Sequence, residues 1–159
     1  MIQILVSLSS LCYGQYIGSY TNSINGLNLG NSPVTKLDIE TSLGIPTEYK
    51  IREYPDEPLG TDEYYKYVSA GKELYMMFTD GIIQEFYTDS PEYLLFGSIR
   101  IGDNVQKFRD MLANGFGKFI IEEERGLGLK TIEVKLGDET LRVTHMNNII
   151  TFIRFVTIF

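Results

Sequence analysis

Residues Leu27–Pro46 read LNLGNSPVTKLDIETSLGIP, and residues Ile99–Gly117 read IRIGDNVQKFRDMLANGFG. Both stretches open apolar-x-apolar-Gly, as Leu27-Asn28-Leu29-Gly30 and Ile99-Arg100-Ile101-Gly102. Both continue with a helix-start signal, Asn31-Ser32-Pro33 in the first and Asp103-Asn104 in the second. Asx and Ser side chains accept hydrogen bonds from the free amides of a first turn, and Pro is tolerated at the first helical position. Apolar residues then recur at helical spacing, Val34 and Leu37 followed by Thr41, and Val105, Phe108 and Leu112. Gly44 and Gly115 stand where a left-handed cap ends a helix.

The similarity extends downstream. Gly71-Lys72-Glu73 and Gly137-Asp138-Glu139 each lead into a strand, an Asx turn (Asp80-Gly81 or Asn147-Asn148) and a second strand. Asp-Gly and Asn-Asn suit the positive φ of hairpin turns. The pattern predicts helices near 32–43 and 103–114. It predicts strands near 48–54, 63–70, 72–79 and 82–88, then 118–124, 129–136, 139–146 and 149–157. The segments 55–61 and 89–98 read as loops. The fold class expected is α+β: two tandem units, 31–97 and 98–159. Each would be a short helical segment packed on an antiparallel sheet of about four strands.

Upstream, Met1–Gly14 reads MIQILVSLSSLCYG, a short apolar core followed by small and polar residues and then Gln15. This has the form of a signal peptide with cleavage before Gln15, although no charged residue precedes Lys36. Residues 15–30, rich in Ser, Asn, Gly and Tyr, read as an extended lead-in. Lipidation at Cys12 is disfavoured because Leu11, not a small residue, precedes it.

The whole chain has 159 residues, with 14 Lys plus Arg against 21 Asp plus Glu, a net charge of −7. Such acidity disfavours nucleic-acid binding, which needs a basic stripe. No apolar run reaches the roughly 18 residues of a spanning helix. One His (His145), one Cys (Cys12) and no Trp leave no four-ligand zinc site and no disulfide within the chain. No P-loop, Gly-x-Gly-x-x-Gly or EF-hand loop occurs, and Gly126-Leu127-Gly128 reads as a turn. Nucleophilic catalysis would have to run through His145, in the alternating, strand-like run Leu141-Arg142-Val143-Thr144-His145-Met146. The expectation is therefore a chain with no enzymatic activity, no cofactor and no metal.

Strands of the first half carry large side chains at both parities: Tyr64-Tyr65-Lys66-Tyr67, Leu74-Tyr75-Met76-Met77-Phe78 and Phe86-Tyr87. A sheet covered on one side can bury only one parity. The other must face solvent or a partner, and Tyr and Met are favoured at protein interfaces. Tyr64, Tyr65, Tyr67, Tyr75, Met77, Tyr87 and Glu85 are the candidate partner-binding residues. Residues 36–97 hold five basic and 13 acidic side chains, residues 98–159 nine and eight. Acidity beside the tyrosines would steer a basic protein partner.

The motif Gly30-Asn31-Ser32, Leu43-Gly44-Ile45-Pro46 and Asp80-Gly81-Ile82-Ile83, echoed by Gly102-Asp103-Asn104 and Asn148-Ile149-Ile150, resembles the repeat of the beta-lactamase inhibitory protein. It also resembles SmpA/BamE-type small outer-membrane proteins. That resemblance implies a helix layer on an antiparallel sheet that binds proteins. The inhibitory protein's disulfides and tryptophans are missing here, and the second unit lacks the Pro after its helix. The expected function is an exported, non-catalytic protein-binding module of the bacterial envelope, periplasmic or secreted and monomeric. It would be of inhibitor, immunity or scaffold type and use an acidic, Tyr-rich sheet surface. The alternatives are a small-molecule or lipid carrier, and a carboxylate-dependent hydrolase using Glu85, Asp89 or Glu133.

Overall fold

A computed structural model describes residues 23–29, 32–54, 60–115, 120–124, 126–136 and 138–157. The signal-peptide reading of 1–14, Cys12, most of the lead-in and most of the 55–61 loop lie outside the described residues.

The described chain begins with a miniature hairpin, β1 (Ser23–Ile24) and β2 (Leu27–Asn28). It closes through Asn25-Gly26, both at positive φ (49° and 85°), which L residues other than Asn and Asp rarely adopt. So the end of the expected lead-in is a packed hairpin, with Ile24 fully buried and Leu27 nearly so. Asn25 ties it down: its N–H donates to Leu94 O, and its Oδ1 accepts from Leu94 N.

Helix α1 (Lys36–Leu43) follows. It starts later than Asn31-Ser32-Pro33 implies, because Thr35 and Asp38 form a capping box. Asp38 N donates to Thr35 Oγ1 at 3.2 Å, and Thr35 N donates to Asp38 Oδ2 at 2.8 Å. Two first-turn amides are thereby satisfied reciprocally. Gly44, at φ 84°, ends the helix. Helix α2 (Val105–Gly115) buries Val105, Phe108, Met111 and Leu112, the i, i+3, i+6/i+7 face expected of an amphipathic helix.

Eight strands complete the fold: β3 (Glu48–Glu53), β4 (Thr61–Ser69), β5 (Lys72–Thr79), β6 (Ile82–Thr88), β7 (Ile120–Glu124), β8 (Leu129–Leu136), β9 (Glu139–Met146) and β10 (Ile149–Thr157). The turns sit where the Asx signals put them, at Asp80-Gly81 and Asn147-Asn148, all at positive φ. Gly81 is doubly constrained, since a Cβ there would come within 2.8 Å of Val34 O.

The assembly of these strands corrects the expected fold class. They form one eight-stranded antiparallel sheet in the order β3-β4-β5-β6-β10-β9-β8-β7, so the described residues are mostly β with two short helices. It is not a pair of helix-on-sheet units. The joint is β6 against β10, with Phe155 opposite Phe86 and Arg154 opposite Tyr87. Phe86 and Phe155 stack at 5.5 Å with an interplanar angle of 12°. The reason is physical: an edge strand leaves a row of backbone donors and acceptors unpaired. Both β6 and β10 carry large side chains at both parities. Pairing them satisfies the backbone and buries Phe86, Ile153 and Phe155.

One core lies on one face of this sheet. Tyr65, Leu74, Met76, Phe78, Phe86, Phe155, Leu141, Val143, Ile132 and Val134 are buried together with Ile39 of α1, Phe108 and Leu112 of α2, and Leu95 and Ile99 of the connecting segment. At roughly 1.5–3 kcal/mol per fully buried side chain, this burial drives the fold.

Candidate functional site

The opposite face is built by strand register. Cα partners follow one another across seven strands as Glu48, Lys66, Tyr75, Tyr87, Arg154, Arg142 and Glu133. The adjacent row runs Lys50, Tyr64, Met77, Glu85, Val156, Thr140 and Lys135. Because successive side chains alternate sides, both rows lie on the face away from the core, although Thr140 is only 2% exposed.

Four rings make a continuous strip on this face. Tyr64 and Tyr75 lie 6.5 Å apart, Tyr75 and Tyr87 stack at 5.0 Å, and Tyr87 and Phe152 stack at 5.9 Å. All four are half-buried. Burial, then Glu85, pushes the Tyr75 hydroxyl up to about 12. Burial, then the bond to Glu73, raises Tyr87 as well. Both phenols therefore stay protonated donors through the neutral range. Beside the strip, Glu48, Lys50, Tyr64, Lys66, Tyr75 and Tyr87 border a shallow open groove of about 220 Å³. That is below the several hundred Å³ of a typical small-molecule pocket.

Tyr64 is held at its tip. Asp62 accepts from Thr79 Oγ1 at 2.7 Å, Tyr54 Oη at 2.9 Å and Tyr64 Oη at 3.2 Å. Burial raises the Asp62 carboxyl, but the three hydroxyls outweigh it and hold it below the usual carboxylate value.

The predicted residues divide. Tyr64, Tyr75, Met77, Tyr87 and Glu85 share the open face. Tyr65 and Tyr67 do not; they are 1% and 6% exposed. Tyr65 donates to Glu63 and packs edge-on against Phe78, while Tyr67 donates to Gly44 O at 3.2 Å. The sequence reading misses Phe152 and the two arginines. Phe152 is obscured by a register shift between Ile150 and Phe152, which leaves Ile150 in the core while Phe152, two residues on, lies on the opposite side with Arg154.

The electrostatics differ from expectation too. Four carboxylates on the open face each have a cation beside them: Glu73 with Lys66 at 2.8 Å, Glu85 with Arg154 at 2.7 Å, Glu133 with Arg142 at 2.7 Å, and Glu48 with Lys50. Much of the remaining acidity of the first half serves as hydrogen-bond acceptors. Asp38 caps α1, Glu63 receives Tyr49, Asp80 receives Thr61 N, and Asp89 receives Glu73 N. The face is a mixed, charge-paired surface, not an acidic one. Asp89 is itself paired with Lys72 at 3.2 Å, so Glu85, Asp89 and Glu133 each contact a different cation.

His145 lies on the covered face, 2% exposed. Its Nε2 is 3.5 Å from Glu122 Oε1, and Arg109 grips both oxygens of that carboxylate at 2.9 and 3.0 Å. The arrangement links α2, β7 and β9. Among the described residues, no three His, Cys, Asp or Glu side chains gather as a metal site. No described helix is long and apolar enough to cross a membrane.

No protein-family model matches the sequence, and no curated protein matches it significantly. Among solved structures, the chain is similar to an extracellular protein containing an SCP domain from Bacillus anthracis. Identity is 11% and the TM-score 0.46, covering 77% of this chain and 42% of that one, so the match spans less than half of that protein. A DUF4309 family protein from Bacillus subtilis matches at 14% identity and TM-score 0.38, covering 92% and 95% of the two chains. A candidate beta-lactamase inhibitor protein from Streptococcus mutans matches at 10% identity and TM-score 0.36, covering 85% and 91%.

Proposed function

We propose that this chain is an exported, non-catalytic protein-binding module that receives its partner on the open face of the sheet. The observation that carries the reading is the strip Tyr64–Tyr75–Tyr87–Phe152, half-exposed at the middle of the sheet. Both helices and the β1–β2 hairpin contribute to the core on the opposite side. Tyrosines offer large contact area at low entropic cost and keep a hydroxyl for polar contacts. Export is supported by the apolar Ile2–Leu11 core ahead of Gln15. The ring planes of Tyr75 and Tyr87 are only 19° apart and stacked. Their facing ring surfaces are thus occupied by each other, and the Tyr87 hydroxyl is bonded to Glu73. That favours a protein surface over a flat sugar or nucleobase that would need the ring faces.

The test is affinity capture by the full chain, comparing wild type with Tyr75→Ala and Tyr87→Ala. The reading expects a stoichiometric protein partner whose binding weakens by more than about 1 kcal/mol in either variant, with circular dichroism unchanged. Capture indifferent to both substitutions, in variants that remain folded, would remove the open face from the binding site.

A further inference from the structure

Resting on that reading of the open face, we infer that the protein seated there is a second copy of this chain, the two sheets packed face to face about a twofold axis. The face is self-complementary. An interface between two identical copies about a twofold must place the same patch against itself. The joint between β6 and β10 is the midpoint of the sheet, with four strands on either side. A twofold running along the strands over this joint sets β6 against β10 of the other copy, β5 against β9, and β4 against β8.

Register then fixes what meets what. In the first row Tyr87 comes opposite Arg154, Tyr75 opposite Arg142, and Lys66 opposite Glu133. In the next, Tyr64 comes opposite Lys135 and Glu85 opposite Val156, while Met77 lies over the strand position of the buried Thr140. No like charges coincide between β4 and β8 in either row. The aromatic half of each copy covers the cationic half of the other, and every contact occurs twice. With the ring faces taken up by stacking, a guanidinium against a phenol is left a hydrogen bond to the hydroxyl oxygen. The charge pairing already seen within each copy leaves the face nearly neutral, so two copies are not held apart by repulsion.

Dimensions agree. Eight strands at about 4.8 Å spacing and about 25 Å length make a face of roughly 950 Å² per copy, enough to supply the ~800 Å² per partner of a standard stable interface. Facing sheets pack about 10 Å apart, a gap that Tyr and Arg side chains fill. Sheet twist concentrates contact on the central strands, where Tyr75, Tyr87, Arg154 and Arg142 stand.

The experiment is sedimentation velocity on the full chain from about 1 to several hundred µM. The inference expects a dimer in the wild type. It expects Lys66→Glu alone and Glu133→Lys alone each to weaken dimerisation at least tenfold, because each variant sets like charges opposite. An equimolar mixture of the two variants should restore the dimer. In that mixed dimer the two substituted side chains face each other with opposite charges, and the unaltered Lys66 of one copy faces the unaltered Glu133 of the other. A wild-type chain that stays monomeric throughout, or a dimer indifferent to both reversals, overturns the inference. If a monomeric chain still captures a foreign protein and loses it in Tyr75→Ala, the second-copy inference fails alone. If Tyr75→Ala changes no association of any kind, the reading of the face fails with it.

Discussion

The joint between Phe86 and Phe155 gives the sharpest test of the single sheet. The two rings, each 1% exposed, stack at 5.5 Å across β6 and β10, although the residues lie in opposite halves of the chain. Phe→Leu at either site removes part of a ring from a packed interior. The expected cost is about 1–2 kcal/mol for each single variant. A domain of this size has roughly 5–15 kcal/mol in all, so both variants should remain folded. Double-mutant cycles on stacked aromatic pairs give about 0.5–1.5 kcal/mol of coupling. Phe86→Leu with Phe155→Leu should therefore cost about 1 kcal/mol less than the sum of the singles. Urea unfolding followed by fluorescence and by far-UV circular dichroism measures both quantities. One sheet with one core requires a single transition, coincident by both probes, with an unchanged m value in all four proteins. Strict additivity within about 0.3 kcal/mol, or two transitions of which each variant shifts only one, would refute the seam.

Two further predictions concern carboxylates whose surroundings differ. Asp62 is held below its ordinary value of 3.8 by three hydroxyl donors that outweigh its burial; the stability it contributes is complete above that value and is lost as pH falls through the lower folded pKa. Asp62→Ala should cost about 2–3 kcal/mol at pH 7, leaving three hydroxyls without their acceptor, and should flatten the acid limb of a stability–pH profile below about pH 4. Glu139 behaves oppositely. Burial, then the neighbouring Asp138, raises it above 4.5, and its Oε2 is buried without a hydrogen-bond partner. Its folded pKa exceeds the unfolded one, so ionisation costs stability as pH rises through that window. Glu139→Gln should therefore raise the urea midpoint at pH 7 and lose that advantage near about pH 4; a midpoint lowered at both pH values would contradict the assignment.

Much of the element order is legible in the sequence, because each strand pair is closed by a local signal. Asp80-Gly81 and Asn147-Asn148 take positive φ, and alternation marks the strands between them. What no local signal specifies is the pairing of β6 with β10. The resemblance of the two halves favours a helix on its own sheet. The decisive clue is the double-sided apolar pattern of Phe86-Tyr87 and Phe152-Ile153. Those runs identify strands that cannot be edges, but not the strand each one meets. Similarly, Tyr64-Tyr65 must divide between two faces. Which of them is buried depends on the β3 neighbour Tyr49, whose ring lies 4.9 Å from that of Tyr65.

Counting charges misleads for a related reason. A carboxylate counts as −1 wherever it lies, yet Asp38, Glu63, Asp80 and Asp89 are engaged with amides and hydroxyls, and Glu73, Glu85 and Glu133 with cations. A face whose charges are matched in place projects little field beyond a Debye length of about 8–10 Å. Association there lacks the long-range steering that lifts rates toward about 10⁸ M⁻¹s⁻¹, so it proceeds at the unsteered rates of about 10⁵–10⁶ M⁻¹s⁻¹. Selectivity must then come from short-range register. Each ring, held by its stacked neighbour or by Asp62, presents its edge at a fixed height beside a fixed cation. A binding partner that matches must carry cations and rings at the same strand spacing, which an unrelated basic surface does not supply.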